Sequence, residues 1–279
     1  MDVLGMKNTH YNARVFSVFL AVYFSFFGLV AARCTGKETG LGAPDEVYVD
    51  AGYELYDRVL SDYVKDGDVD YLMLRESPEG LDKYLLWLAG TDPGKLETSE
   101  ERLAFWINAY NAFVLKGVLG TLPGRTEDFS GYSVKKTRGF FTRKKYVVDG
   151  RSYSLDDIEN DVLRSIFKDP RVHFSIVCAS ESCPILQEKA FRGRDVQARL
   201  DETTRNFFTS KDRFRIDREN RIVYLSRIFR WYKEDFEGTE GSLYDFIAEY
   251  LESDEDRAFI KRGDFSIKYL DYDWGLNIK

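Results

Sequence analysis

Apolar and polar positions recur along this chain with several periods, and each period marks an element. The longest apolar stretch comes first. Val15 to Ala32 is an uncharged run of 18 residues behind a segment carrying Lys7 and Arg14, the positive-then-apolar order of an export signal. Val30-Ala31-Ala32 supplies small residues for a cut after Ala32. Three outcomes stay open: a cleaved signal peptide, an uncleaved anchor, or a lipoprotein at Cys34, against which the preceding Arg33 speaks. An anchor is marginal, because spanning a bilayer takes ~20 residues. All three place the rest of the chain outside the cytoplasm, periplasmic or membrane-anchored and facing outward. Residues 33–45 are small and polar and read as a tether, so the domain is expected over 46–279.

Within that domain, Tyr53, Tyr56, Val59, Leu60 and Tyr63 fall at helical spacing, closed by Asp66-Gly67-Asp68. A second helix is expected over Leu81 to Leu88. Thr98-x-x-Glu101 resembles a capping box and opens a third helix, apolar nearly all round, to about Leu119. Asp149-Gly150, between Tyr146-Val147-Val148 and Ser152-Tyr153, signals a hairpin. Ser154-x-x-Asp157 caps a helix from Leu155 to Phe167. Val172 to Cys178 reads as a buried strand, and Pro184 opens a further helical stretch before a helix over Asp195 to Phe208. Phe214–Ile216 and Ile222–Leu225 predict a second hairpin, followed by helices near 227–236, 242–252 and 254–261 and a last strand at Ile267–Leu270. Helices and short strands mix without βαβ alternation. The expected fold is therefore α+β: a single domain with two hairpins, after an N-terminal signal or anchor.

Composition narrows the chemistry. Of 279 residues, 44% are apolar and 15% aromatic, which excludes disorder as the main state. A net charge of −7 argues against nucleic acid as a partner. The partner expected instead is an unknown small molecule or an envelope protein, with membrane contact only through an uncleaved N-terminal segment. The chain holds 2 His and 3 Cys, and a cut after Ala32 removes His10, leaving His173 as the one imidazole. No cofactor is expected. The spacing His173-x4-Cys178-x4-Cys183 is poor for a metal, because His173 and Cys178 face opposite sides of a regular strand and structural zinc takes four ligands.

Several motifs, in order, resemble one family. They are Phe105-Trp106-Ile107-Asn108-Ala109-Tyr110-Asn111, Leu155-Asp156-Asp157-Ile158-Glu159-Asn160 with Leu163-Arg164, and Asp169-Pro170-Arg171-Val172-His173-Phe174 leading to Val177-Cys178-Ala179-Ser180 and Ser182-Cys183-Pro184. Ile228-Phe229-x-Trp231-Tyr232, Asp235-Phe236 and the terminal Tyr269-Leu270-x-Tyr272-Asp273-Trp274 follow. Together they resemble the domain of unknown function 547 family over residues 100–279. The resemblance implies an exported protein, as in bacterial members, and no settled activity.

Read for chemistry, Cys183 is the sharpest candidate. With Pro184 at the first helical position, its thiol would sit at a helix N-terminus, where the dipole lowers a thiol pKa. The alternatives are a disulfide with Cys178 or a plain core residue. His173 is the candidate base, although five residues of strand put ~17 Å between it and Cys178; otherwise it is a core histidine bonded to Glu159 or a backbone carbonyl. Glu159 and Asp157 are the carboxylates that would orient it. Asn108 and Asn111 share a helix face and either hold loops or act as polar support for catalysis. Arg164 and Arg171 either bind a substrate carboxylate or pair with Asp157 or Glu159. Lys135, Lys136, Arg138, Arg143, Lys144 and Lys145, with Phe140 and Phe141 among them, form a basic segment that is either solvated or meets an anionic partner. Two functions remain: a thiol-dependent hydrolase or acyltransferase using Cys183, or a non-catalytic envelope module binding an acidic partner or ligand.

Overall fold

The computed structural model describes residues 44–124, 129, 131–237 and 241–279. The expected signal or anchor and most of the tether lie outside the described residues. α1 (Pro44–Tyr63) starts two residues inside the expected tether. Beyond it, β1 (Val64–Lys65) and β2 (Asp68–Val69) pair around Asp66 and Gly67, both with positive φ (54° and 97°). α2 (Tyr71–Glu76) is capped by the Asp70 carboxylate, which accepts from Met73 N. α3 (Glu79–Gly90) lies against α1, where Tyr56 stacks on Tyr84 with ring centroids 4.5 Å apart.

α4 (Ser99–Leu119) is the spine of the domain. The Thr98 hydroxyl accepts from Glu101 N, while the Glu101 carboxylate accepts from Thr98 N. This satisfies two of the donors that a helix start leaves free. Every side chain from Leu103 to Leu115 is buried, as its lack of a polar face requires. The first hairpin forms as expected: β3 (Tyr146–Val148) pairs with β4 (Arg151–Tyr153), and Asp149 and Gly150 take the positive φ angles that a type I′ turn needs. The Ser154–Asp157 cap is also present, with reciprocal side-chain to backbone bonds of 2.7 and 3.1 Å. The helix it opens continues through Asp157–Phe167 with π-type, i to i+5 bonding and ends on Lys168 in the left-handed region.

Two sequence expectations are overturned next. Val172 to Cys178 is no strand. Pro170–Phe174 is a 3₁₀ turn, started by the Asp169 carboxylate accepting from Arg171 N and by proline at its first position. Pro184 starts no helix either: residues 184–195 are irregular, and the next helix is α5 (Val196–Thr209). The second hairpin, β5 (Phe214–Asp217) with β6 (Ile222–Leu225), forms in the expected place. After α6 (Ile228–Trp231), α7 (Lys233–Phe236), α8 (Leu243–Glu249) and α9 (Asp254–Arg262), β7 (Ser266–Tyr269) joins this sheet parallel to β6. A phenylalanine-rich core including Phe174, Phe207, Phe229 and Phe236 fills this half. The sheets are small and the helices dominate, so the described residues form a single α+β domain.

From β7 the chain runs across the loop 178–183. Glu181 N donates to Gly275 O and Asp273 N to Ser182 Oγ, at 2.9 and 2.8 Å. It ends against β2, where Lys279 N donates to Val69 O. No helix among the described residues is long and apolar enough to cross a membrane.

Candidate active site

The two asparagines of α4 position the loops that carry the chemistry. Asn108 donates to Phe191 O and accepts from Phe191 N, both at 2.8 Å. Asn111 donates to Ser175 O at 2.9 Å and accepts from Val177 N at 3.0 Å. Each buried amide is thereby spent on backbone, the first of the two roles the sequence left open. Asn111 fixes the three residues leading into Cys178.

Cys178 and Cys183 are both free thiols, so the disulfide left open by the sequence is not formed. The loop between them turns at Ala179, which has a φ of 59°, and closes with Cys183 N donating to Ser180 O. Cys178 N then points at Cys183 Sγ, 2.8 Å away. The two sulfurs differ sharply in surroundings. Cys183 is 5% exposed, and burial pushes its thiol well up, with the hydrogen bond to Cys178 adding to the effect. With no helix after it, the dipole argument for Cys183 falls away. Cys178 is half-buried. Its pKa is lowered, first by the hydrogen bond from Cys183 and then, against burial, by the hydroxyls of Ser180 and Tyr272, 2.9 and 3.3 Å from Sγ. Of the two thiols, the surroundings favour ionisation of Cys178 over that of Cys183.

His173 is buried at 3% exposure, and its Nε2 lies 2.7 Å from Asp235 Oδ2. Neither Glu159 nor Asp157 orients it, contrary to expectation. Asp235 also takes a two-point contact from Arg164, at 2.6 and 3.0 Å. Burial opposes ionisation of Asp235, but the bonds from His173 and Arg164 outweigh it and hold the carboxyl below the usual range. The Tyr232 ring stacks on His173 at 3.9 Å. Glu159 accepts from Tyr110 at 3.1 Å and from the Tyr232 hydroxyl, and burial followed by this carboxylate pushes both phenols up. Asp157 is held at about 2 by Lys145 and the Ser154 backbone, away from His173. Neither cysteine is hydrogen-bonded to the imidazole among the described residues.

The two arginines part company. Arg164 is committed to Asp235 and Asn160. Arg171 is tied to Asp169, Asp201 and Gln197, outside the cavity that holds the cysteines. Neither guanidinium is free for a substrate carboxylate, and neither pairs with Asp157 or Glu159. The basic segment is likewise dispersed: Lys145 meets Asp157, Lys144 meets Gly117 O, and Lys135 lies over the Trp274 ring at 4.3 Å.

Cys178, Cys183, His173, Glu159 and Tyr110 all face one cavity of about 370 Å³, roofed by Trp231, Tyr232, Tyr272 and Trp274. A larger cleft of about 740 Å³ lies past Pro184, lined by charged residues such as Arg199 and Glu188 but, among the described residues, by no cysteine or histidine. The smaller cavity is therefore where the chemistry gathers. Sequence reasoning gave no role to Asp235 or Tyr272. Both stood inside motifs noted above, but their partners lie 62 and 94 residues away.

The fold and site together define an α+β domain with a thiol, an imidazole and carboxylates around a small aromatic cavity. Residues 94–208 match the family described as Protein of unknown function, DUF547, which supports the resemblance carried by the motifs. The match covers α4, both cysteines, Glu159 and His173, and stops before Asp235 and the aromatic roof. Comparison with curated proteins finds no match, and neither does comparison with solved structures.

Proposed function

We propose that this protein is an exported, thiol-dependent acyl-transfer enzyme in which Cys178, rather than Cys183, is the nucleophile. The observation that carries the reading is the set of hydrogen-bonding groups around Cys178 Sγ, the hydroxyls of Ser180 and Tyr272 and the Cys183 thiol, at the wall of a cavity large enough for a small ligand. A thiolate is the reactive form of cysteine. It attacks a carbonyl carbon of the substrate, a C–S bond forms, and the bond to the leaving group breaks. The leaving group departs with a proton from His173, oriented by Asp235. Water or a second nucleophile, giving its proton to the now neutral His173, then attacks the thioester carbonyl; the C–S bond breaks, the acyl group is delivered and the Cys178 thiolate returns. Asn111 acts as a positioning residue, and Cys183 as the donor that keeps Cys178 ionised.

A second reading, a non-catalytic binding module, is favoured by the missing bond between His173 and Cys178. Iodoacetamide labelling across pH, read by mass spectrometry, separates the two. The catalytic reading expects Cys178 to be alkylated with a midpoint below the ~8.5 of a free thiol, and Cys183 to be protected. A Cys178 midpoint at or above the free value, or faster labelling of Cys183, overturns it.

A further inference from the structure

The walls of the Cys178 cavity carry an uneven charge. Glu159 and Asp156 line it, and neither carboxylate is in an ion pair among the described residues. Among the described residues no lysine or arginine lines it, and the one imidazole that does is bonded to Asp235. Trp231, Tyr272 and Trp274 form a triangle at one side, with centroids 4.8, 5.6 and 4.7 Å apart and the rings mutually inclined by 35–58°. The three rings pack on one another and all line the cavity, so it has an electron-rich aromatic wall of the kind that attracts a cation. Trp231 is 43% exposed, so part of its indole is open to a ligand. The chain itself supplies a cation here: the exposed Lys135 ammonium lies over the Trp274 ring at 4.3 Å.

We infer that the ligand of this cavity is an organic cation, an ammonium-bearing molecule seated on Trp231, Tyr272 and Trp274 with Glu159 and Asp156 supplying the opposing charge. The inference deepens the acyl-transfer reading and rests on it only in calling that ligand the substrate. A fatty or neutral acyl substrate would gain nothing from the two carboxylates. An anionic one would be repelled by them. Lys135 occupies the rim position of such a ligand's charge and competes with it for Trp274.

Titration of the full chain by calorimetry with choline and with its neutral isostere 3,3-dimethylbutan-1-ol tests this. Choline is expected to bind roughly tenfold more tightly than the isostere, and W231A to remove most of that preference. K135A is expected to tighten choline binding, by freeing the Trp274 face. C178S is expected to retain choline binding, which separates this inference from the nucleophile assignment. Equal affinity for the two probes, no choline binding, or a cation preference unchanged in both W231A and K135A overturns it. Should Cys178 label as an ordinary thiol while choline still binds selectively, the catalytic reading fails and the cation site stands.

Discussion

Asp235 shows how much can rest on one side chain. It accepts two hydrogen bonds from Arg164 and faces His173 Nε2, and it is only partly exposed. Asp235→Asn removes the charge that both partners face, so a loss of about 2–4 kcal/mol is expected at neutral pH. The sign with pH follows from the depressed folded pKa. The stabilisation is whole above the unfolded value of ~3.9 and drains away as pH falls through the folded one. Denaturant unfolding at pH 7 and pH 3 should therefore show the gap between wild type and D235N narrowing in acid; a constant gap would refute the assignment. Asn111→Ala leaves Ser175 O and Val177 N unpaired in the core, at a cost of about 2–4 kcal/mol from two orphaned groups. The same denaturation experiment reads it, and a change under 1 kcal/mol would mean that the Cys178 loop is held by something else. Residue types alone reached the right neighbourhood, since Glu159, His173 and both cysteines do share a cavity. The contrast between the surroundings of the two thiols was not legible, because a thiol's ionisation depends on groups brought by the fold, and Tyr272 lies 94 residues from Cys178.

At the scale of elements, what was legible is what local chemistry controls. The Thr98 and Ser154 boxes, the Asp149-Gly150 turn and the all-apolar α4 each depend on residues within a few positions of one another, and each formed. The run Val172–Cys178 misled because a short apolar stretch has the same pattern in a buried strand and in a buried turn. Asp169-Pro170 carried the discriminating signal, a cap and an N1 proline. Pro184 misled in the opposite sense, for no helix follows it. The α1–α3 contact was not legible at all, since it depends on a glycine. A Cβ at Gly52 would lie 2.2 Å from the Trp87 ring. Gly52→Ala should thus cost about 1–3 kcal/mol by overpacking, in spite of alanine's better helix propensity. Thermal unfolding of G52A decides between the two effects, and a raised Tm would show that propensity wins.

For the whole molecule, the last ten residues connect structure to chemistry. Leu276 and Asn277 are buried, Asn277 donates to Gly67 O and accepts from the Tyr71 hydroxyl, and Ile278 bridges to Val69. The segment thus clamps the small β1–β2 hairpin near the start of the domain to the loop 178–183. Deleting 270–279 removes Tyr272 and Trp274 from the cavity roof, exposes the apolar core beneath Leu276 and leaves the Tyr71 hydroxyl without its partner. Its cost should be several kcal/mol, at roughly 2–4 °C in Tm for each in a domain of this size. Tyr272→Phe isolates the chemical part of that loss. Leu276 and Asn277 stay docked, so Tm should move little, while Cys178 loses one of the donors that favour its thiolate and its alkylation midpoint should rise. If the truncation lowers Tm and Y272F leaves the midpoint where it was, the C-terminus is a structural clamp alone, and the ionisation of Cys178 rests on Cys183 and Ser180.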